Sequence, residues 1–219
     1  MATEQAESGA AGFQFQFTKE GEVPVLETPH LFGYILGPWH ADDIIAIWND
    51  KSTSRWMADP EGEPCNHEEY LENHSTHPSE VTDGRSFIFY TKEDRVPAAF
   101  SAFYDFDTSN SSAETSFCVV PSFRGRGFGT EVNGAAICYA FESTHFQCHS
   151  LFSTVVTENA PSVACTERCG YKKIGIRRET HRLEGRWYNE WLFDMLAGDW
   201  LAAKAAHPAL SGIRILHDI

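Results

Sequence analysis

The stretch Arg124-Gly125-Arg126-Gly127-Phe128-Gly129 packs three glycines and two guanidinium groups into six residues. That combination suits a phosphate, because glycine leaves backbone N–H groups unobstructed and Arg adds charge-assisted hydrogen bonds. The elements on either side must aim it. Before the loop, Thr115, Phe117 and Val119 alternate at the period of a β-strand. After it, Val132, Ala135, Ala136, Tyr139 and Ala140 recur at the spacing of one buried helix face. Strand, glycine loop and helix start in that order present unpaired amides, and the positive end of a helix dipole, to a phosphate-bearing ligand. A P-loop needs Lys and a hydroxyl residue directly after its last glycine, whereas Thr130 and Glu131 follow Gly129. A dinucleotide fingerprint needs two residues between its second and third glycines, whereas Phe128 alone separates Gly127 from Gly129. Both nucleotide motifs fit poorly.

The chain of 219 residues has room for one well-buried domain. Its 17 basic and 31 acidic residues leave a net charge of -14, which argues against a nucleic-acid partner. No apolar stretch is long enough to span a bilayer, and the first dozen residues hold no apolar signal core. The six cysteines form no C-x-x-C pair and read as reduced thiols. The expectation is a cytoplasmic protein without membrane contact, a monomer or a homodimer.

Arg124, Gly127 and Gly129 resemble the acetyl-CoA signature of the GCN5-related N-acetyltransferase (GNAT) superfamily, Arg or Gln followed by x-x-Gly-x-Gly or Ala. Glu114, Val119 and Pro121 resemble the strand that leads into this loop in the branch holding the ribosomal-protein alanine N-acetyltransferases. A second signature, Asn159 followed by Gly170-Tyr171, lies about thirty residues on, where Asn159 and Pro161 suit a helix start and Gly170 its C-terminal end. The resemblance spans Leu31 to Leu196. It implies an α/β (α+β) GNAT fold, with helices flanking a mixed central sheet of about six to seven strands. Residues 1–30 then form a partly disordered N-terminal extension, 31–196 the acetyltransferase domain, and 197–219 a C-terminal extension that the family does not explain.

Local patterns fill in the elements. Phe13, Phe15 and Phe17 alternate as an edge strand or a sticky tail would, and the Pro24–Pro29 region reads as a linker. Strands are expected over Leu31–Trp39, Ser86–Tyr90, Ala98–Phe106 and Leu151–Thr157, and a final hairpin over Lys173–Arg182 and Arg186–Leu196. Helices are expected over His40–Asn49 and Leu201–Ala206.

The resemblance also implies roles. The backbone of Arg124, Gly125, Arg126, Gly127, Phe128, Gly129 and Thr130 would hold the diphosphate of acetyl-CoA, and Phe117, Cys118 and Val119 would pair with its pantetheine arm. Asn159 would bind the same arm, with Ser162 beside it or supporting the helix start. Glu114 is the candidate base, either through a raised pKa or a bridging water, with Glu179, His181 and Glu184 as alternatives. Thr166 stands where many relatives place the tyrosine acid, a departure that leaves a weaker acid or a mere hydrogen-bond donor. Cys118 or Cys165 as nucleophile is weighed against direct attack by the amine, and direct attack is the simpler account.

The implied activity is acetyl transfer to a primary amine. Asp59, Glu61, Glu63, Glu68, Glu69, Glu72, Glu80 and Asp83 share one stretch without Lys or Arg, which is either a solvated face or a wall that attracts a small cationic amine. A protein N-terminus is the alternative acceptor, and a non-catalytic acetyl-CoA-sensing module the alternative class. A protein acceptor predicts an open groove between the second helix and the last hairpin, and a small acceptor an enclosed pocket from Trp187, Tyr188 and Trp191. Cys65, His67, His74 and His77 match no metal motif, and no metal is expected.

Overall fold

A computed structural model describes residues 22–57, 63–73 and 81–219. Its frame is one nine-stranded mixed sheet. In chain order the strands are β1 (Leu26–Glu27), β2 (Leu31–Ile35), β3 (Arg85–Thr91), β4 (Pro97–Asp107), β5 (Ser112–Val119), β6 (Ser150–Val156), β7 (Lys172–Leu183), β8 (Arg186–Leu196) and β9 (Arg214–Ile215). They lie side by side as β7-β8-β6-β5-β4-β3-β2-β1-β9. The helices are α1 (Ala41–Trp48), α2 (Lys51–Ser54), α3 (His67–Asn73), α4 (Phe128–Glu142), α5 (Ala160–Arg168), α6 (Ala197–Ala206) and α7 (Pro208–Ser211).

Alternation along the strands gives the sheet two apolar faces. Phe87, Phe89, Phe103 and Ala113 pack toward Val132, Ala135 and Tyr139 of α4. Ile88, Tyr90, Phe100 and Ala102 pack toward Ile44 and Ile47 of α1 and Tyr70 of α3. Helix α4 is buried on nearly every side because α6 and α7 cover the face it turns away from the sheet, through Trp200 and Leu210.

The sheet is larger than the six to seven strands expected. The two additions, β1 and β9, pair with each other through Leu26–Ile215 and Glu27–Arg214. β1 falls inside the proline-flanked region expected to be a linker, and it also pairs with β2. The first expected strand stops at Ile35, since Gly37 and Pro38 turn the chain into a short 3-10 segment, Pro38–His40. α6 starts at Ala197, ahead of the expected Leu201, because the Asp199 carboxylate accepts the Leu196 N–H at 3.1 Å and caps the helix there. Phe13, Phe15 and Phe17 lie outside the described residues.

Candidate active site

The central feature is a parting of strands. β5 and β6 run parallel and pair only over Ser112–Ser150, Ala113–Leu151 and Glu114–Phe152. Beyond that point β5 stays paired with β4 up to Val119, and β6 stays paired with β8 up to Val156. The edge of β5 from Ser116 to Val119 therefore faces a cleft rather than a strand. From Glu114 to Val119 this edge covers about 17 Å. It includes Phe117, Cys118 and Val119, whose backbone an extended ligand arm can join as an added strand.

At the open end of the cleft lies the glycine loop. Gly125 and Gly127 take φ of 75° and 87°, the left-handed region that favours glycine, and a Cβ at either would meet nothing within 4 Å. Gly127 is the N-cap of α4, and no described side chain caps that helix. Arg124, Gly125, Arg126 and Gly127 are exposed, so the first amides of a fifteen-residue helix point into accessible space. This cradle is unobstructed and carries the positive end of the helix dipole, so it can accept a phosphate group.

Gly129, by contrast, is a packing glycine: a Cβ there would lie 3.3 Å from Cys165 Sγ, which brings α4 against α5. Buried Thr130 continues this contact, its Oγ1 3.8 Å from Cys165 Sγ and 3.4 Å from the Arg168 guanidinium. One turn into α4, the buried Glu131 carboxylate accepts from the Thr28 hydroxyl at 2.6 Å and the His30 amide at 3.1 Å. The N-terminal segment thus pins the helix start, a role no local pattern announced.

The two arginines of the loop differ. Arg124 turns away from the loop: it donates to the Val119 carbonyl at 2.9 Å, Ser52 Oγ at 2.8 Å and Thr53 Oγ1 at 2.7 Å. It ties the end of β5 to α2, where Asp50 caps the helix. The expectation that both arginine side chains add charge at the phosphate is corrected in this respect. Arg126 lies over the Phe123 ring at 5.4 Å and is exposed.

At the closed end of the cleft stands Glu114. Its Oε1 accepts from the Thr154 hydroxyl at 3.2 Å, and Tyr104 stands directly opposite it on β4. Burial pushes the Glu114 carboxyl above its ordinary range, and the charges of Asp105 and Glu190 add to the shift against the opposing Thr154 bond. Burial, Glu114 and Asp105 together push the Tyr104 phenol well up. Tyr104, Thr154 and Glu190 were not singled out in the sequence; the register that places them beside Glu114 is a property of the sheet. Such a group of carboxylates suits a cation, and a carboxyl of raised pKa suits proton acceptance from an amine.

Other expected residues fall elsewhere. Thr166 is fully enclosed at 0% exposure, with its hydroxyl unpartnered among the described residues, so it does not open onto the cleft. It lies beyond the capped end of α5, where Asn159 Oδ1 accepts the Ser162 amide at 3.4 Å. Ser162 thus supports the helix start, and Asn159 keeps its amide group for other partners. His181 is buried with its ring 3.2 Å from the Arg55 carbonyl, holding the hairpin to the end of α2. Glu179 and Glu184 are exposed, in the β7 bulge and the hairpin turn. Trp187 and Tyr188 point to opposite faces of β8, and Trp191 lies beneath Lys173 at 4.8 Å, so the three aromatics do not enclose a pocket. Burial pushes the Cys118 thiol up to about 12, so it carries no thiolate for nucleophilic attack. Of the acidic stretch, Glu63, Glu68, Glu69, Glu72 and Asp83 are exposed, whereas Asp59, Glu61 and Glu80, like His74 and His77, lie outside the described residues.

A parted parallel pair, a glycine cradle at its open end and a half-buried carboxyl of raised pKa at its closed end make up the site. The chain belongs to the acetyltransferase (GNAT) domain family, whose sequence profile matches residues 34–172. It is an acetyltransferase, and acetyl-CoA is its acetyl donor. It is 27% identical over 149 residues to the putative phosphinothricin acetyltransferase YwnH of Bacillus subtilis (strain 168), a match covering 67% of this chain and 86% of that protein. An uncharacterized N-acetyltransferase, p20 of Bacillus licheniformis, is 25% identical over 114 residues, 52% of this chain and 63% of that one. Among solved structures, spermidine N-acetyltransferase from Vibrio cholerae in complex with CoA and spermine shares the fold, with a TM-score of 0.69 at 19% identity over 78% of this chain and 98% of that one.

Proposed function

We propose that this enzyme transfers the acetyl group of acetyl-CoA directly to a primary amine of a small, cationic molecule. The observation that carries this reading is the carboxylate group at the closed end of the cleft, where Glu114 faces the charges of Asp105 and Glu190. A polyamine can place one neutral nitrogen at Glu114 while its remaining ammonium groups meet the other carboxylates. The fold shared with an enzyme named for spermidine supports the same substrate class.

In this reading the amides from Gly125 to Gly129 and the Arg126 side chain hold the diphosphate, with Arg124 as the residue that positions the loop. The free edge of β5 from Phe117 to Val119, together with Asn159, aligns the thioester arm. Glu114 takes the proton from the attacking nitrogen, and that nitrogen bonds to the acetyl carbon as the carbon–sulfur bond breaks. The thiolate leaves with CoA while the proton stays on Glu114, and the Tyr104 phenol, beside Glu114 on β4 and kept protonated by its raised pKa, serves in this reading as a hydrogen-bond donor to the thiolate, the lesser role considered for Thr166. Residues 31–196 carry all of these groups, while residues 197–219 support α4.

Incubation with acetyl-CoA and a panel of spermidine, spermine, amino sugars and peptides with free N-termini, read as mass gain on the acceptor, tests this. Acetylated polyamine is expected. Acetylation confined to peptides would replace it with the protein-acceptor activity that the ribosomal-protein branch implies.

A further inference from the structure

On the α1 face of the sheet, beyond β4 from the parted strand, lies a separate cavity of about 320 Å³. It is lined by Glu22, Tyr34 of β2, His40, Tyr90 of β3 and Arg95 from the β3–β4 turn. The volume falls within the range of small-molecule sites. None of these residues has a part in acetyl transfer as described above.

Hydrogen-bond accounting shows what the cavity lacks. His40 is 1% exposed, and its Nδ1 accepts the Gly37 amide at 3.1 Å. In the neutral ring the proton therefore sits on Nε2, and that buried N–H has no hydrogen-bond partner among the described residues. The Glu22 carboxylate lies 3.3 Å away without completing the bond. Leaving such a donor unmet is unfavourable, so an acceptor of better geometry has something to gain. Tyr34 supplies a second donor: its oxygen accepts from Arg95 at 3.0 Å, which leaves its own proton available. Arg95 retains further N–H groups, while Tyr90 donates to Asp43 at 2.5 Å. The walls are aromatic, with Tyr34 and Tyr90 edge-on at 5.7 Å and His40 6.1 Å from Tyr90.

We propose that this cavity binds a small carboxylate with an aromatic body, its oxygens accepting from His40 Nε2, the Tyr34 hydroxyl and Arg95 and its ring lying against Tyr34 and Tyr90. A monoanion suits the site better than a dianion. Among the described residues Arg95 is the one Lys or Arg that lines it, and the carboxylates of Glu22 and Asp43 would repel a doubly charged phosphate. Glu22 is the chain's own imperfect occupant, and the ligand displaces it.

The test is calorimetric titration of benzoate into the whole protein saturated with CoA, so that the diphosphate loop is filled, at fixed ionic strength. One saturable site is expected, with the His40 Nε2–H proton resonance shifting in step. Glu22→Gln removes the competing carboxylate and should tighten binding about tenfold, whereas Tyr34→Phe and Arg95→Ala should each weaken it about tenfold. Unchanged circular dichroism keeps these variants interpretable. Absence of saturable binding in both the native protein and E22Q would overturn the proposal. So would a benzoate affinity that Y34F and R95A leave unaltered, since the anion then sits elsewhere. Inorganic phosphate binding as tightly as benzoate, sensitive to the same two variants, would overturn the carboxylate assignment.

Discussion

Glu114 accepts a hydrogen bond from Thr154 of β6 on one flank and has Tyr104 of β4 opposite it on the other, with the charges of Asp105 and Glu190 acting on it. As a base it must be ionised, and its pKa is raised, so the rate should climb with pH through that raised value. Glu114→Gln should lower kcat about a hundredfold and abolish this acidic limb in the pH–rate profile; a mutant profile with the limb intact would remove Glu114 as the base. The same shift governs stability. The folded state holds the Glu114 proton more tightly than the unfolded chain, whose carboxyl titrates near the ordinary 4.5, so stability falls as pH rises from there through the folded pKa. Thermal melts of E114Q should accordingly rise above those of the native protein at pH 7 and coincide with them below the ordinary carboxyl pKa. Arg124 and Arg126 separate binding from positioning. Arg126→Ala should raise the acetyl-CoA KM roughly tenfold at unchanged stability, as loss of one charge-assisted phosphate contact would. Arg124→Ala should raise KM and also cost about 1–3 kcal/mol in urea unfolding, because it unties β5 from α2. The motif marked Arg124 in the sequence, yet its partners Ser52 and Thr53 lie more than seventy residues away, where no local pattern reaches.

Elements with a strong period were legible and elements defined by pairing were not. The patterns in β3, β4 and β6 place each within a residue or two of its observed ends, while the alternation in β5 and the apolar spacing of α4 mark the interior of those elements. Two-residue strands such as β1 and β9 have no period to read, and they exist because the two ends of the described chain meet at the sheet edge. The cleft was equally hidden, since it is an absence of pairing between β5 and β6 beyond Glu114. Thr166 failed for a related reason: its position along α5 is set by the sequence, but which side of α5 faces the cleft is set by packing. α4 shows how far such packing goes. A Cβ at Gly134 would lie 2.5 Å from Leu210 Cδ2 and 2.8 Å from Ile213 Cδ1. In an exposed helix Gly→Ala gains about 1 kcal/mol, whereas overpacking a core costs about 1–3 kcal/mol. Gly134→Ala should therefore destabilise the protein on balance, by about 1–2 kcal/mol in urea titration, with the loss relieved when Leu210 is shortened to Ala in the same chain. A stabilised G134A would mean that α7 does not press on α4.

At the scale of the whole molecule, the net charge of -14 and the carboxylates around Glu114 act in the same direction on an approaching amine. A field of one sign raises the local concentration of counter-charged substrate and speeds its encounter, an effect that added salt screens over about 10 Å. The donor is different: acetyl-CoA is itself an anion, so the same field opposes it, and in the proposed site the loop amides and Arg126 offer the local attraction. Salt should therefore move the two substrates oppositely. Between about 0.05 and 0.5 M NaCl, KM for a triamine should rise several-fold, that for a monoamine of similar length should rise less, and that for acetyl-CoA should fall or stay level. Glu190→Gln should flatten the triamine dependence while leaving the acetyl-CoA trend in place, because Arg177 and Thr180, which now engage Glu190, lie on β7 away from the glycine loop. Steady-state kinetics across the salt series decide it. A triamine KM indifferent to salt would detach the acidic surface from substrate capture and leave only the short-range contacts at Glu114 to select the acceptor.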